Sequence, residues 1–465
     1  MSDVLLGADL GTSGLKLVAL DDSGTVVAEA ESGYAVDHPA PDRAEGDVGA
    51  WRRAFDEALT AVLAGLDGAG VRALGLSGQM HGTVLVDSGG TALRPPVLWP
   101  DHRATAEVAR WRALPAEDRA ALANPLVPGM TGPVLAWLAR HEPDAIERAS
   151  AVLLPKDALR AALLPGMDPA VTDRSDASAT LLWDVVADDW SPAAVAAAGI
   201  APSLLPDIRS ASDVAGVLAE PLDGVPVTVG GADTALALLA AGTTGVQVNV
   251  GTGVQVLRPI AAPSPADDPV VHCYADAVGG WYAMAALQNA GSAWEWVCGV
   301  LGFSWDELFA AAASVPAGAG GVTFRPFLTG ERGGVAAPDD RGSWTGLSAG
   351  VTRLDLARAA VEGVVFAVAA ATALLDVPDE PVLLTGGGAR PAVVPQLLAD
   401  VLSRPVRPLL LRSASAVGAA LLAGRGVGVV VEPRLPATVE VRPRSVSALR
   451  ESRDRWAAAG SGPSS

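Results

Sequence analysis

The fold is decided near the N-terminus by the stretch Gly7-Ala8-Asp9-Leu10-Gly11-Thr12-Ser13-Gly14-Leu15-Lys16. It joins an apolar run at 4–8 to a second at 15–20 through a Gly/Thr turn, and a third run follows at 26–30. Apolar runs separated by short glycine-containing turns are typical of antiparallel strands. The stretch therefore predicts a β-meander whose first turn lies at 11–14.

The same pattern returns in the second half of the chain. Asn249-Val250-Gly251-Thr252-Gly253 joins apolar runs at 246–250 and 254–257, which predicts a second hairpin. A chain of 465 residues can form two large domains or three small ones, and the repeated hairpin favours two. We predict an N-terminal domain at 1–242, a C-terminal domain at 243–432, and a polar tail at 433–465 with one short helix at 446–459.

Composition excludes several classes of protein. The net charge is -19, and no run of Lys or Arg could form the basic face that nucleic-acid binding requires. Cys273 and Cys298 have no CxxC spacing, and the histidines have no metal-ligand spacing. No signal peptide is predicted, and the weakly charged stretch 224–257 is interpreted as buried sheet rather than a membrane span. We expect a cytoplasmic protein that binds neither nucleic acid nor membrane.

Lysine occurs only at Lys16 and Lys156, and every other strongly basic side chain is arginine. A chain that favours arginine this strongly and still keeps a lysine could need a compact ammonium group at that position. The alternative is that the two lysines were retained by chance.

The two Gly/Thr turns are candidate phosphate cradles, because glycines let backbone N–H groups approach phosphate oxygens. The chain has neither GxxxxGK[ST] nor GxGxxG. Asp9 lies inside an apolar strand, where a carboxylate is costly unless it is paired or bound to a cation such as Mg²⁺. The alternatives are that each turn is purely structural, that Asp9 caps backbone N–H groups, and that Lys16 faces solvent.

Asp233 is the candidate catalytic base. It follows the predicted strand 225–229 and the small residues Gly230-Gly231-Ala232, and it begins a predicted helix at 233–241. Sites of α/β proteins collect at strand ends of this kind. The alternative is an ordinary helix N-cap, where aspartate is favoured.

From about residue 6 to 424, these motifs resemble the FGGY carbohydrate kinases, and within them the xylulokinases. Besides the stretches above, the resemblance rests on motifs distributed in order along the chain: Gly78-Gln79-Met80-His81-Gly82, Trp99-Pro100-Asp101-His102-Arg103, Leu154-Pro155-Lys156-Asp157, Thr172-Asp173-Arg174-Ser175-Asp176-Ala177-Ser178, Leu328-Thr329-Gly330-Glu331-Arg332, Gly342-Ser343-Trp344-Thr345-Gly346-Leu347 and Gly386-Gly387-Gly388-Ala389.

The resemblance implies an α/β, two-domain, actin-like ATPase (ribonuclease H-like) fold, in which each domain is a mixed β-sheet flanked by helices and a cleft separates the domains. It also implies that Asp233 removes the proton of a sugar hydroxyl, that ATP and Mg²⁺ are needed, and that Asp9 and Asp233 organise the metal. The implied nucleotide-binding residues are Gly11, Thr12, Ser13, Lys16, Gly251, Thr252, Gly253, Gly291, Gly387, Gly388 and Ala389. The implied sugar-binding residues are Met80, His81, Trp99, Asp101, Arg103 and Asp233.

Some positions depart from the pattern of the family. Thr234 and Pro100 stand where asparagine is usual, Gly333-Gly334 replaces Thr-Pro, and the second turn continues as Val254-Gln255. Because Thr234 and Pro100 lie on the expected sugar side, the expected acceptor, D-xylulose, has alternatives: sedoheptulose, ribulose, gluconate or a polyol. An inactive sugar- or nucleotide-binding regulator and an actin-like filament protein are further alternatives. The resemblance also suggests a homodimer.

Overall fold

Two mixed β-sheets organise the computed structural model, which describes residues 3–66, 68–242, 245–331, 334–435 and 438–459. The strands up to residue 232 are β1 Val4–Leu10, β2 Gly14–Leu20, β3 Val26–Gly33, β4 Val71–Gly78, β5 Val84–Val86, β6 Ala151–Leu153, β7 Val171–Asp173, β8 Trp183–Asp184, β9 Asp189–Trp190, β10 Asp207–Arg209, β11 Val214–Val217, β12 Pro226–Thr228 and β13 Gly231–Ala232. The later strands are β14 Gln247–Val250, β15 Val254–Ile260, β16 His272–Ala275, β17 Trp281–Leu287, β18 Thr323–Arg325, β19 Ser343–Thr345, β20 Val382–Thr385 and β21 Val406–Pro408.

Helices cover both sheets. Those of the first half are α1 Val48–Ala64, α2 Val108–Arg112, α3 Ala116–Ala121, α4 Thr131–His141, α5 Pro143–Arg148, α6 Pro155–Leu163, α7 Arg174–Ala177, α8 Pro192–Ala198 and α9 Asp233–Ala241. Those of the second half are α10 Gly291–Leu301, α11 Trp305–Ser314, α12 Arg353–Ala373, α13 Val393–Leu402, α14 Ala414–Gly426 and α15 Ser447–Ala458. Short 3₁₀ turns lie at Pro202–Leu204, Ala319–Gly321 and Gly387–Ala389.

The first sheet has the order β11-β12-β4-β1-β2-β3, and β13 also pairs with β4. Strands β1, β2 and β3 form the antiparallel meander that the sequence predicts. Strand β1 runs parallel to β4, and so does β13. The carboxyl ends of these three strands therefore meet at one edge of the sheet.

The second sheet has the order β16-β17-β15-β14-β20-β21. The predicted hairpin is present as β14 and β15, and β14 runs parallel to β20, with Asn249 opposite Thr385. The turn at 251–253 and the glycines that follow β20 consequently lie at the same edge of this sheet. Strands β12 to β15 and helix α9 contain most of the described residues in the stretch 224–257.

Helix α14 follows the second sheet in sequence but packs on strands β1 and β4 of the first sheet and on helix α9. The close approach depends on glycine, because a Cβ at Gly7 or Gly75 would lie 1.9 Å from a backbone carbonyl oxygen of the helix. A Cβ at Gly418 would lie equally close to the Leu236 carbonyl oxygen of α9. The division at 242/243 stays a prediction, and residues 243–244 lie outside the described part of the chain.

The predicted tail helix is α15, which docks on the second half through buried Trp456, whose indole N–H donates to the Phe324 carbonyl at 2.9 Å. The end of the tail, residues 460–465, lies outside the described residues. In the described ranges one helix, α12, is long and apolar enough to cross a bilayer, but 83% of its apolar window is buried within the protein.

Candidate active site

The edge where β1, β4 and β13 end carries the two candidate carboxylates. Asp9 on β1 lies opposite Ser77 on β4, and Gly231 on β13 lies opposite Ser77 from the other side. The Ser77 hydroxyl donates to Asp9 Oδ1 at 2.8 Å. Asp233 follows β13 directly, so three strand ends bring Asp9 and Asp233 to one place.

Asp233 is the first residue of helix α9 and does not act as its cap. The N-cap position is Ala232, and Asp233 Oδ1 accepts from the backbone N–H of Thr234 at 2.6 Å and from its hydroxyl at 3.1 Å. Burial and the nearby negative charge of Asp9 raise the pKa of Asp233 to about 7. A carboxylate with this pKa is half ionised near neutral pH, which suits a general base.

The pKa of Asp9 is also shifted. Burial raises its pKa, although the Ser77 hydroxyl and the charge of Lys16 oppose the rise. Lys16 lies opposite Asp9 in the β1–β2 register, which explains that attraction. The site therefore holds two carboxyl groups whose pKa values are both raised, a shift that a bound cation would oppose.

Hydrogen bonds hold the first Gly/Thr turn in place from two sides. The Gly11 N–H donates to the Gly14 carbonyl at 3.0 Å, which closes the turn. The Gly11 carbonyl accepts from the Tyr34 hydroxyl at 2.6 Å and from the Gln79 side-chain amide at 3.0 Å. The Trp99 indole N–H donates to the Thr12 hydroxyl at 2.9 Å. Trp99, predicted for the sugar, thus lies against the first turn.

The second Gly/Thr turn, at 251–253, lies beside the two other segments that are predicted to bind the nucleotide, Gly291 and 387–389. The N–H of Gly291 donates to the Gly251 carbonyl at 3.1 Å, and a Cβ at Gly291 would approach that oxygen to 2.5 Å. A Cβ at Gly386 would lie 2.5 Å from the Val250 carbonyl oxygen, and one at Gly388 would lie 2.5 Å from the Val250 side chain. Glycine is needed at these positions because three backbone segments pack together.

A cleft of about 620 Å³ lies between the two halves. Lys16 lines it from the first half, and Gly386, Gly387 and Arg390 line it from the second. Its volume is typical of a small-molecule site. Lys16 consequently faces this cleft together with glycines of the second half.

The two halves also touch beside Asp233. The Gln255 side-chain amide donates to the Thr234 hydroxyl at 3.5 Å, and Asn249 donates to the Gln255 side-chain oxygen at 3.2 Å. Thr234 and Gln255 are both departures from the usual family pattern, and the structure pairs them. The contact places Asp233 next to the strands that carry the second turn.

Met80 and His81 follow the end of β4, within the same strand-end region. Met80 is buried, and His81 adopts a positive φ of 72° while its ring donates from Nδ1 to the Ala179 carbonyl. The ring centroid of His81 is 6.1 Å from that of Tyr274, which belongs to the second half. A non-glycine residue with positive φ often marks a functional position.

Asp101 and Arg103 are placed in a buried ion-pair network. Arg103 Nη2 lies 2.8 Å from Asp101 Oδ2 and 2.7 Å from Glu45 Oε1, and its guanidinium stacks on Trp137. Asp101 also accepts from the Ala44 N–H at 2.8 Å. Within the described residues Arg103 Nη1 is buried and makes no hydrogen bond. The geometry favours a structural role for Asp101, and the sugar-binding role of Arg103 stays a prediction.

The described residues match two family models: the N-terminal domain of the FGGY family of carbohydrate kinases at residues 4–240 and its C-terminal domain at 246–427. The chain belongs to the FGGY family of carbohydrate kinases. Together the two matches span most of the sequence, including both Gly/Thr turns and Asp233.

Among curated relatives of this FGGY kinase, a xylulose kinase of Escherichia coli (strain K12) is 34% identical over 451 residues, which cover 92% of this chain and 90% of the relative. A xyloylose kinase from Brucella ovis has a crystal structure that is 31% identical, with a TM-score of 0.90 and 98% coverage of both chains. A gluconate kinase from Lactobacillus acidophilus is 22% identical with the same TM-score, which shows the fold alone. The actin-like ATPase fold is therefore confirmed.

Apart from Gln79, which lies in the motif at 78–82, several residues that support the site carry no motif that sequence reasoning could use. Ser77, Tyr34 and Gln79 hold Asp9 and the first turn, and Tyr282 lies close enough to Asp233 for its charge to raise the tyrosine pKa, after the larger effect of burial. Ser77, Tyr34 and Tyr282 form no recognisable spacing with other residues, so only the three-dimensional contacts single them out. Arg332 and Gly333, part of the motif and of its departure, lie outside the described residues.

The carboxylates present fit a magnesium ion. Mg²⁺ usually keeps several waters and is held by one or two carboxylates together with substrate phosphates. Asp9 and Asp233 supply two, and the described residues contain no group of three or more His, Cys, Asp or Glu side chains that could enclose a metal. The donor set therefore suits a metal that arrives with a nucleotide better than a resident one.

Proposed function

We propose that this FGGY kinase transfers the γ-phosphate of ATP to the terminal hydroxyl of a ketopentose, most simply D-xylulose, with Asp233 as the general base. The observation that carries the proposal is the position of Asp233 at a strand end beside Asp9, where Thr234 contacts Gln255 of the second half. The relatives that share about a third of their residues with this chain are named xylulose kinases, which supports D-xylulose as the acceptor.

Transfer begins with binding of ATP in the cleft between the sheets. The N–H groups of Gly11 and Gly251 already donate within their turns, so we expect the remaining N–H groups of the turns at 11–14 and 251–253 to bind the phosphates. Lys16 adds a positive charge from the cleft wall, which Glu29 and Glu31 also line. Gly388 packs against Val250, whereas a Cβ at Gly387 would meet no protein atom within 4 Å, so we expect the purine to lie beside Gly387. When bound, Mg²⁺ would neutralise phosphate charge, with Asp9 and Asp233 as its carboxylate partners.

The sugar lies against Met80 and His81, with its terminal hydroxyl directed at Asp233. Ionised Asp233 accepts the proton of that hydroxyl as the oxygen attacks the γ-phosphorus, and ADP leaves in line with the new bond. Contacts between the halves, such as Gln255 with Thr234, close the site over the acceptor. Closure excludes water, which would otherwise compete as the phosphoryl acceptor.

The experiment is a coupled ADP-release assay of the wild-type protein and Asp233→Asn with D-xylulose. We expect turnover to fall by ~10²–10⁴, the usual contribution of a general base. Asp47→Asn is the matched control, because Asp47 caps helix α1 and asparagine caps equally well. Near-normal turnover of folded Asp233→Asn would remove Asp233 from the mechanism.

The acceptor is tested separately with the wild-type protein. D-xylulose is compared with D-ribulose, sedoheptulose, gluconate and glycerol, and we expect the highest kcat/KM for D-xylulose. A tenfold preference for another compound would replace the acceptor and keep the reaction. A homodimer and a cytoplasmic location stay predictions.

A further inference from the structure

Lys156, one of only two lysines in the chain, occupies a fully buried position at the start of helix α6. Its Nζ lies 2.7 Å from Asp157 Oδ1, 3.1 Å from Asp173 Oδ1 and 3.0 Å from Asp176 Oδ2. Burial alone would lower the pKa of Lys156, but the three carboxylates outweigh it and the pKa is raised. An ammonium with three donors on one atom suits three surrounding carboxylates, whereas a planar guanidinium would need more space.

The ion pair of Lys156 with Asp173 continues through hydrogen bonds to the residue before the candidate base. Asp173 Oδ2 accepts from the hydroxyl and from the backbone N–H of Ser175. The same Ser175 oxygen accepts from the Ala232 N–H at 2.9 Å. Ala232 directly precedes Asp233, and Ser175 is fully buried, so water cannot replace the bond.

The same helix supports the two strand ends beside the site. A Cβ at Gly78 would lie 2.9 Å from the Cβ of Lys156, so helix α6 touches the end of β4 just before Met80 and His81. Arg160, one turn further along α6, donates to the Val229 carbonyl at 2.8 Å, at the end of β12. The helix therefore contacts the backbone on both sides of the sugar site.

We propose that Lys156 and Ser175 are positioning residues, which hold the backbone before Asp233 so that its carboxylate meets the acceptor hydroxyl. This inference rests on the proposed role of Asp233 as the base. Ser175 is the direct link, since its hydroxyl joins Asp173 to the Ala232 N–H. Lys156 acts through Ser175 by fixing the Asp173 carboxylate.

Ser175→Ala tests the link, because Lys156 variants could fail to fold. The matched control is Ser191→Ala: Ser191 is also buried and also accepts from a backbone N–H, that of Ala194, but it caps helix α8. Ser175→Ala loses two buried hydrogen bonds and Ser191→Ala loses one, so we expect a decrease in Tm for both variants and a somewhat larger one for Ser175→Ala. We expect kcat of Ser175→Ala to fall about 10–100-fold, the size of effect that a misplacement of ~1 Å produces.

The split between kinetic constants distinguishes positioning from folding. We expect the KM values for D-xylulose and ATP to stay within about threefold of wild type in Ser175→Ala, because the base makes its contribution in the transition state. Ser175→Cys keeps the side-chain size and weakens both bonds, so its kcat should lie between those of wild type and Ser175→Ala. The cysteine variant carries the test if the alanine variant does not fold.

Equal kcat values for Ser175→Ala and Ser191→Ala, or a change in KM alone, would overturn the inference. Asp233→Asn is measured in parallel and reports on the base itself. Loss of activity in Asp233→Asn with normal kcat in both Ser175 variants refutes only the positioning role. Normal activity in Asp233→Asn refutes the proposed base and the positioning role with it.

Discussion

The molecule contains two groups of buried or partly buried aspartates, and they differ in the source of their counter-charge. Asp157, Asp173 and Asp176 surround Lys156, and Arg160 lies 2.6 Å from Asp157. Asp9 and Asp233 face each other at the strand ends, and Lys16 offers only a weak attraction to Asp9. The first group is neutralised by the chain itself, and the second is left for a ligand to neutralise.

The pKa shifts follow this difference. The pKa of Asp157 is lowered because Lys156 and Arg160 outweigh the effect of burial, while the pKa of Asp176 is raised well above its usual value, mainly by burial. Two buried cations, Lys156 and Arg160, thus lie within 3.1 Å of the carboxyl groups of the first group. At the second group both pKa values are raised, which is expected of a site prepared for a cation and a proton transfer.

The largest effect is expected from Lys156→Met. Removing the ammonium leaves three buried carboxyl groups without their shared partner, which costs about 3–5 kcal/mol of stability. Lys16→Met is the matched control because Lys16 is partly exposed and its loss should cost less than about 1 kcal/mol. Urea unfolding of both variants measures the two losses in the free energy of unfolding. Equal losses would show that Lys16 and Lys156 contribute equally to stability, which would contradict the comparison.

The next largest effect is expected from Asp9→Asn, which changes the pair of aspartates that the chain does not neutralise. The Mg²⁺ concentration for half-maximal activity should rise about 10–100-fold, since Asp9 would hold the metal through its waters. Stability should not fall, because a partly buried carboxylate with a raised pKa becomes a neutral amide. An unchanged magnesium dependence would place the metal elsewhere.

Asp233→Asn should stabilise the protein while it removes activity. The folded-state pKa of about 7 exceeds the unfolded value of ~3.9, so the folded state binds more protons between these values. Wild-type stability from this group therefore falls as the pH rises from about 4 to 7 and is lowest above 7. Discounted for partial exposure, the variant should gain about 1–3 kcal/mol at pH 8 and little at pH 4. A gain that does not depend on pH would point to a different cause.

The smallest effect is expected from Trp99→Phe, which removes the 2.9 Å hydrogen bond from the indole N–H to Thr12 but keeps an aromatic ring at this position. A hydrogen bond of this kind contributes about 1 kcal/mol, so the KM for ATP should rise about fivefold with a small change in kcat. A change in the KM for the sugar instead would return Trp99 to the sugar side, where the sequence resemblance placed it.

Local patterns were sufficient to predict the turns, Asp9 and Asp233, because glycine, threonine and strand-end aspartate are informative within a few residues. Glu45, the partner of Arg103, lies 58 residues away, and the contact of Ser175 with Ala232 joins residues 57 apart. No local spacing encodes such pairs. The packing of α14 on the first sheet could not be predicted from the sequence either, since the glycines that allow it lie on β1 and β4.

The most direct test of the account is the titration of Asp233 itself by its carboxyl ¹³C chemical shift, identified by the signal missing from Asp233→Asn. We expect a midpoint near pH 7 in the ligand-free protein, and a lower midpoint in Asp9→Asn, where the neighbouring negative charge is gone. A midpoint near 4 in the wild-type protein, unmoved by Asp9→Asn, would contradict the claim that this carboxylate is left without a counter-charge.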